Sequence, residues 1–200
     1  MKTTAFLAAI LLLACGRPAT PPSADQTPAE PSVVVTNEMG SPHVGDVAPD
    51  FDLVDQAGAH VKLADMRGSV VVLAFVTSYC PFSKAAQPSL AELARTYAPR
   101  GVKVVAVNVK EGDAEYREYV SRMSGQSFSV LRDPDGAVSL AFTPAKAQPE
   151  VLDRTKVVVT SNLVIDKKGK IRFFTLLDTQ HFDAKLVHLR RSLDRVMEEG

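Results

Sequence analysis

Val70-Val71-Val72-Leu73-Ala74-Phe75-Val76-Thr77-Ser78-Tyr79-Cys80-Pro81-Phe82-Ser83-Lys84 is the stretch on which the fold turns. Its first half, 70–76, is a continuous apolar run rich in β-branched residues, the composition of a strand buried on both faces. Beyond Cys80 the period changes: Ala86, Leu90, Leu93, Ala94 and Tyr97 fall on one face of a helix. Pro81 suits the first helical turn, where its missing N–H costs nothing, and Pro88 is expected to kink the helix. Cys80 therefore sits where a buried strand gives way to a helix. Unpaired backbone N–H groups and the positive end of the helix dipole stabilise an anion there. A free thiol near pKa 8.5 is only about 3% thiolate at pH 7, so a nucleophile gains from that position. The plainer reading of the same residue is a small buried hydrophobe.

Working outward, Gly101 leads into a second apolar run over 102–109, a natural parallel partner for 70–76. Upstream, Phe51 with Leu53 and Val61 with Leu63 flank Asp55-Gln56-Ala57-Gly58, which has hairpin composition. Downstream, Asp113 is the expected N-cap of a helix carrying Tyr116, Tyr119, Val120 and Met123 on one face and ending near Gly125. Strands are expected over 157–166 and 170–177 about Lys167-Lys168-Gly169, then a helix over 183–197 that buries Leu186, Leu189, Leu193 and Val196. Alternating strands and helices predict an α/β sandwich: a mixed central sheet flanked by helices, with an N-terminal hairpin.

Composition narrows the function classes. Two hundred residues, 46% apolar and 23% charged, suit one domain with one sizeable core. Lys plus Arg (23) balance Asp plus Glu (23), so the basic excess of a nucleic-acid binder is missing. Two cysteines, four scattered histidines and no tryptophan leave no disulfide framework and no Cys/His zinc cage; neither a metal nor another cofactor is expected.

The N-terminus is organised differently. Met1-Lys2 is a short basic start, and the apolar run 5–14 is too short for a bilayer-spanning helix, which takes about 20 residues. These are signal-peptide proportions. Leu12-Leu13-Ala14-Cys15 resembles the lipobox of bacterial lipoproteins, which implies cleavage before Cys15 and acylation of its sulfur. Residues 1–14 are thus read as a signal peptide, 15–42 as a lipidated, Pro-rich solvated tether, and 43–200 as the folded domain. The same resemblance, to Gram-negative lipoproteins, implies outer-membrane attachment facing the periplasm, because Gly16 stands where an Asp would favour inner-membrane retention. The membrane is then a partner through the lipid anchor only.

Val44-Gly45-Asp46-Val47-Ala48-Pro49-Asp50-Phe51, Leu63-Ala64-Asp65-Met66-Arg67-Gly68 and Phe75-Val76-Thr77-Ser78-Tyr79-Cys80-Pro81 occur in an order that resembles the redoxin branch of the thioredoxin-like superfamily. That branch holds the AhpC/TSA peroxiredoxins and the TlpA/ResA thiol-disulfide reductases. Asp133-Pro134-Asp135-Gly136 and Leu163-Val164-Ile165-Asp166-Lys167-Lys168-Gly169 resemble its later signatures. The resemblance implies a thioredoxin-like fold with Cys80 as nucleophile, but the departures matter. The reductases read W-C-x-x-C, whereas Ser83 stands here at the resolving cysteine and Tyr79 at the tryptophan. Peroxiredoxins read P-x-x-x-T/S-x-x-C with a distant arginine; Thr77 fits, but Leu73 stands at the proline and Thr160 at the arginine. Thr160 also takes the place of the thioredoxin cis-proline, for which Pro149 is a possible substitute. Copper chaperones of the SCO type need a second cysteine where Lys84 stands.

The expected catalytic set is Cys80, Thr77 and Ser83: Thr77 orients the substrate, Ser83 hydrogen-bonds the sulfur, and the N–H groups around Phe82 and Ser83 stabilise charge. Tyr79, Phe82, Lys84 and Thr160 are the expected substrate-binding residues. His60, His181 and His188 read as surface or packing residues, Arg132 and Arg154 as candidate replacements for the missing guanidinium, and Asp133 and Asp135 as turn chemistry. The activity implied is thiol-dependent oxidoreduction, in which Cys80 attacks a peroxide or disulfide and an external thiol resolves it. The alternative is a non-catalytic binding module that kept the fold after losing the second cysteine.

Overall fold

The computed structural model describes residues 35, 37–123, 125–147, 153, 160–177 and 182–200. Among them, β1 (Asp52–Asp55), β2 (His60–Lys62), β3 (Val71–Val76), β4 (Lys103–Val109), β5 (Ser129–Asp133), β6 (Ser161–Ile165) and β7 (Ile171–Leu176) form one sheet in the order β2-β1-β5-β4-β3-β6-β7. The helices are α1 (Pro81–Tyr97), α2 (Asp113–Arg122), α3 (Ala137–Ala141) and α4 (Val187–Glu199).

Every residue of β3 is buried, as its unbroken apolar sequence requires of a central strand. It pairs in parallel with β4, Val72 opposite Val104, and antiparallel with β6, Leu73 opposite Leu163. Two parallel strands need a crossover, and α1 supplies it between β3 and β4. Successive side chains of a strand point to opposite faces, and that alternation divides the core in two. Val70, Val72, Ala74 and Val76 join Leu93, Tyr119, Leu189 and Leu193, from α1, α2 and α4. Val71, Leu73 and Phe75 join Phe51, Leu63, Phe142 and Phe174 on the other face. The Tyr97 hydroxyl donates to Asp194 at 2.8 Å and the Arg190 guanidinium donates to the Ser89 carbonyl at 3.0 Å, fixing α4 against α1.

β1 and β2 pair antiparallel about the Asp55 turn, Leu53 opposite Val61, and β6 and β7 pair antiparallel. Several details depart from the sequence reading. β5 and α3 are additions to the expected elements. β5 extends the parallel set, Val107 opposite Leu131, and the Asp133 carboxylate ending it accepts the N–H groups of Val138 and Ser139 that open α3. Asp113 is not the N-cap of α2. Gly112 holds that position, and the Asp113 carboxylate is paired with Arg132 instead. α4 begins at Val187, four residues later than expected, because Leu186 adopts a left-handed φ of 53° that ends the preceding turn.

The packed domain also starts before residue 43. Val35, assigned to the solvated tether, is fully buried and its N–H donates to the Phe174 carbonyl at 2.9 Å; Gly45 and Asp46 then bond to Ile171. This segment lies along β7 and covers an edge that would otherwise present unpaired backbone groups. The signal segment 1–14, Cys15, Pro149, Arg154, His181 and residues 157–159 of the expected strand lie outside the described residues.

Candidate active site

β3 delivers the site. Its last residue is Val76, after which 77–80 form a short loop and Pro81 opens α1. Cys80 occupies the N-cap position in an extended conformation, φ −73° and ψ 118°, and its carbonyl accepts the Lys84 N–H at 3.1 Å. The thiol is free, partly exposed and makes no side-chain cap bond. Unpaired N–H groups of the first helical turn are therefore within the same few residues as the sulfur. α1 continues through Pro88 to Tyr97 as one helix.

Two hydrogen bonds hold the loop from below. The Thr77 N–H donates to Ser83 Oγ at 3.4 Å, and the Ser78 N–H donates to Glu111 Oε1 at 2.5 Å. Ser83 is buried and spends its acceptor on Thr77; among the described residues no hydrogen bond joins it to Cys80, contrary to the expected sulfur contact. Thr77 is 1% exposed and its Oγ1 has no partner among the described residues. Tyr79, by contrast, is 65% exposed beside the sulfur, and Lys84 is exposed one turn along α1.

A cavity opens next to the loop between α1, β6, β7 and the start of α4. It gathers Phe82, Ser83 and Thr160, with Leu90, Phe173 and Leu176 giving it an apolar wall. Phe82 meets Phe182 edge-on, ring centres 4.9 Å apart. Thr160 Oγ1, Gln87 Nε2 and Tyr119 Oη are buried without partners among the described residues and belong to residues of this wall. Burial pushes the Tyr119 hydroxyl up to about 12, so it stays a neutral donor at physiological pH. Cys80, Thr77, Tyr79 and Lys84 do not line the cavity. The structure thus separates the expected set into a loop bearing the sulfur and a neighbouring pocket.

Of the remaining candidates, His60 is exposed and bonded to Asp52 at 2.7 Å, while His188 stands at the cavity wall. Arg132 is paired with Asp113 and lies 5.8 Å from the Tyr116 ring centre, which commits its guanidinium elsewhere. Asp133 and Asp135 both cap α3, as turn chemistry predicts. Glu111 and Asn108 are site residues that sequence reasoning missed. An acidic residue two positions beyond the end of a buried strand was the available signal, since open α/β sheets gather their sites at the carboxyl ends of strands.

Comparison with known proteins agrees with this geometry. A family model described as AhpC/TSA matches residues 44–174. The thiol-disulfide oxidoreductase ResA of Geobacillus thermodenitrificans is 32% identical over 129 residues, covering 64% of this chain and 67% of that protein. ResA of Bacillus subtilis is 33% identical over 98 residues, 49% of this chain and 54% of the relative. Among solved structures, a Chlorobium tepidum protein assigned as a thiol:disulfide interchange protein DsbE superposes with a TM-score of 0.60 at 27% identity, covering 77% of this chain and 97% of that one. Peroxidoxin BcpB of Mycobacterium tuberculosis shares the fold, with a TM-score of 0.57 at 19% identity over 78% of this chain and 96% of its own. The sheet with flanking helices is thioredoxin-like, and the chain belongs to the AhpC/TSA family, in the redoxin branch of the thioredoxin-like superfamily.

Proposed function

We propose that this protein is a thiol-disulfide oxidoreductase that works with one cysteine. The observation that carries the reading is the free, partly exposed Cys80 thiol at the N-terminus of α1, with a serine where a resolving thiol would stand. The Cys80 thiolate attacks one sulfur of a partner disulfide, forming a mixed disulfide and releasing the other sulfur as a thiolate. An external thiolate then attacks that mixed disulfide, forms a new disulfide with the partner sulfur and returns Cys80 as thiolate. Tyr79 is exposed to meet the partner's surface, and the first-turn N–H groups stabilise the sulfur's charge. The names of the ResA relatives support a disulfide as substrate. Attack on a peroxide finds less support, because Leu73 and Thr160 stand where the peroxiredoxin pattern has its proline and arginine.

Incubation with oxidised glutathione followed by mass spectrometry tests the reading. Wild-type protein should stall as a glutathione adduct on Cys80, and Ser83→Cys should discharge it into an internal disulfide, since the two positions lie one turn apart on α1. No adduct with the disulfide but rapid sulfenic acid formation with hydrogen peroxide would transfer the activity to peroxide. Inertness to both would leave the non-catalytic binding module. Attachment to the outer membrane, facing the periplasm, through an acylated Cys15 is also proposed, on the strength of residues 5–16 alone. Absence of an incorporated fatty acid from purified protein would refute it.

A further inference from the structure

Glu111 is a charged residue only 6% exposed, directly beneath the loop that carries the nucleophile. Both carboxylate oxygens are engaged. Oε1 accepts the Ser78 N–H at 2.5 Å and Oε2 accepts Asn108 Nδ2 at 2.7 Å, so the side chain bridges the end of β4 to the loop after β3. Burying a carboxylate is unfavourable unless its hydrogen bonds require it. Its approach is also unusual. Lys110, immediately before it, has a left-handed φ of 53°, a conformation that costs a non-glycine residue and persists only where the surroundings enforce it. The surroundings do so: the Lys110 N–H donates to the Asp133 carbonyl at 2.9 Å, and its stem crosses Gly136, where a Cβ would stand 2.2 Å from Lys110 Cε. That backbone turn aims Glu111 inward, under the loop.

We propose that Glu111 is a positioning residue for the Cys80 reaction, braced by Asn108 and acting through the Ser78 N–H to fix the 77–80 loop. The inference rests on the reading of Cys80 as the nucleophile. Without the brace, the Ser78 N–H loses its partner, the loop relaxes, and the sulfur departs from the helix terminus.

The test exploits the donor and acceptor pattern. Glu111→Leu removes both acceptors, so both contacts are lost. Glu111→Gln keeps both without the charge: its oxygen accepts from the Ser78 N–H, and its nitrogen donates to Asn108 Oδ1, which has no partner among the described residues, once the Asn108 amide turns over. The rate of Cys80 adduct formation with oxidised glutathione is measured for each, beside its thermal melt. Glu111→Leu should react about tenfold more slowly, and Glu111→Gln should keep most of the wild-type rate. An unchanged rate in Glu111→Leu overturns the proposal, as does a Glu111→Gln rate as low as that of Glu111→Leu, since Glu111 would then act through its charge. A wild-type chain that forms no adduct fails the functional reading itself, a separate result. If Glu111→Leu does not fold, Asn108→Ala, which removes the brace and leaves the carboxylate, should slow the reaction while the protein stays folded; an unaltered rate there overturns the proposal.

Discussion

Asp133 shows how a buried carboxylate can serve structure while resembling an active-site group. Burial raises its pKa above the usual 3.8, against the lowering pull of the Ser139 and Val138 N–H groups. A carboxyl whose folded pKa is raised holds its proton longer in the folded than in the unfolded chain, so its contribution to stability is present at low pH and is lost as pH rises through the folded value. Asp133→Asn removes that pH dependence and leaves one oxygen for two N–H donors. The variant should be less stable by about 1–3 kcal/mol, and the gap from wild type should narrow as pH is raised from 3.8 upward. Urea titrations between acid and neutral pH check both the size and the sign. At this scale Cys80 was legible in the sequence because its position between two strong patterns identified it. Glu111 was not, since its burial follows from the backbone turn at Lys110, which a lysine does nothing to announce.

At the scale of elements, legibility followed the length of the apolar pattern. β3, β4 and α1 were readable because 70–76, 102–109 and the helical face from Ala86 to Tyr97 each repeat one period long enough to decide it. β5 was not, because Ser129-Val130-Leu131-Arg132-Asp133 has only two apolar residues at its centre and takes its order from pairing with β4 and β1. The start of α4 failed for another reason. Asp183 does act on the helix, but from outside it: its carboxylate accepts the His188 N–H at 3.0 Å across the left-handed Leu186. Replacing Asp183 with Ala should lower stability by about 1 kcal/mol, as loss of a helix cap does, whereas Asn should retain most of it. Chemical denaturation of the two variants distinguishes a capping role from one that depends on charge.

For the whole molecule, the segment that covers β7 makes a measurable difference to where the domain can be cut. A chain beginning at residue 43 loses the burial of Val35 and its bond to Phe174, together with the Lys146 N–H to Met39 carbonyl bond of 2.9 Å. It should be less stable than one beginning at residue 33 by about 2 kcal/mol, the value of one buried aliphatic side chain and its contacts; equal melting temperatures would show that the segment is an ornament. Strand order has a consequence for how the protein is made. β3 stands between β4, its near neighbour in the chain, and β6, which does not begin until residue 161. On a ribosome, or during passage through a translocation pore from the N-terminus, Val71-Val72-Leu73-Ala74-Phe75-Val76 emerges with one flank open, and it stays open until nearly the whole chain is out. An apolar β-branched hexamer with an unpaired edge is the species that self-associates, so the nascent chain, more than the finished protein, needs a chaperone.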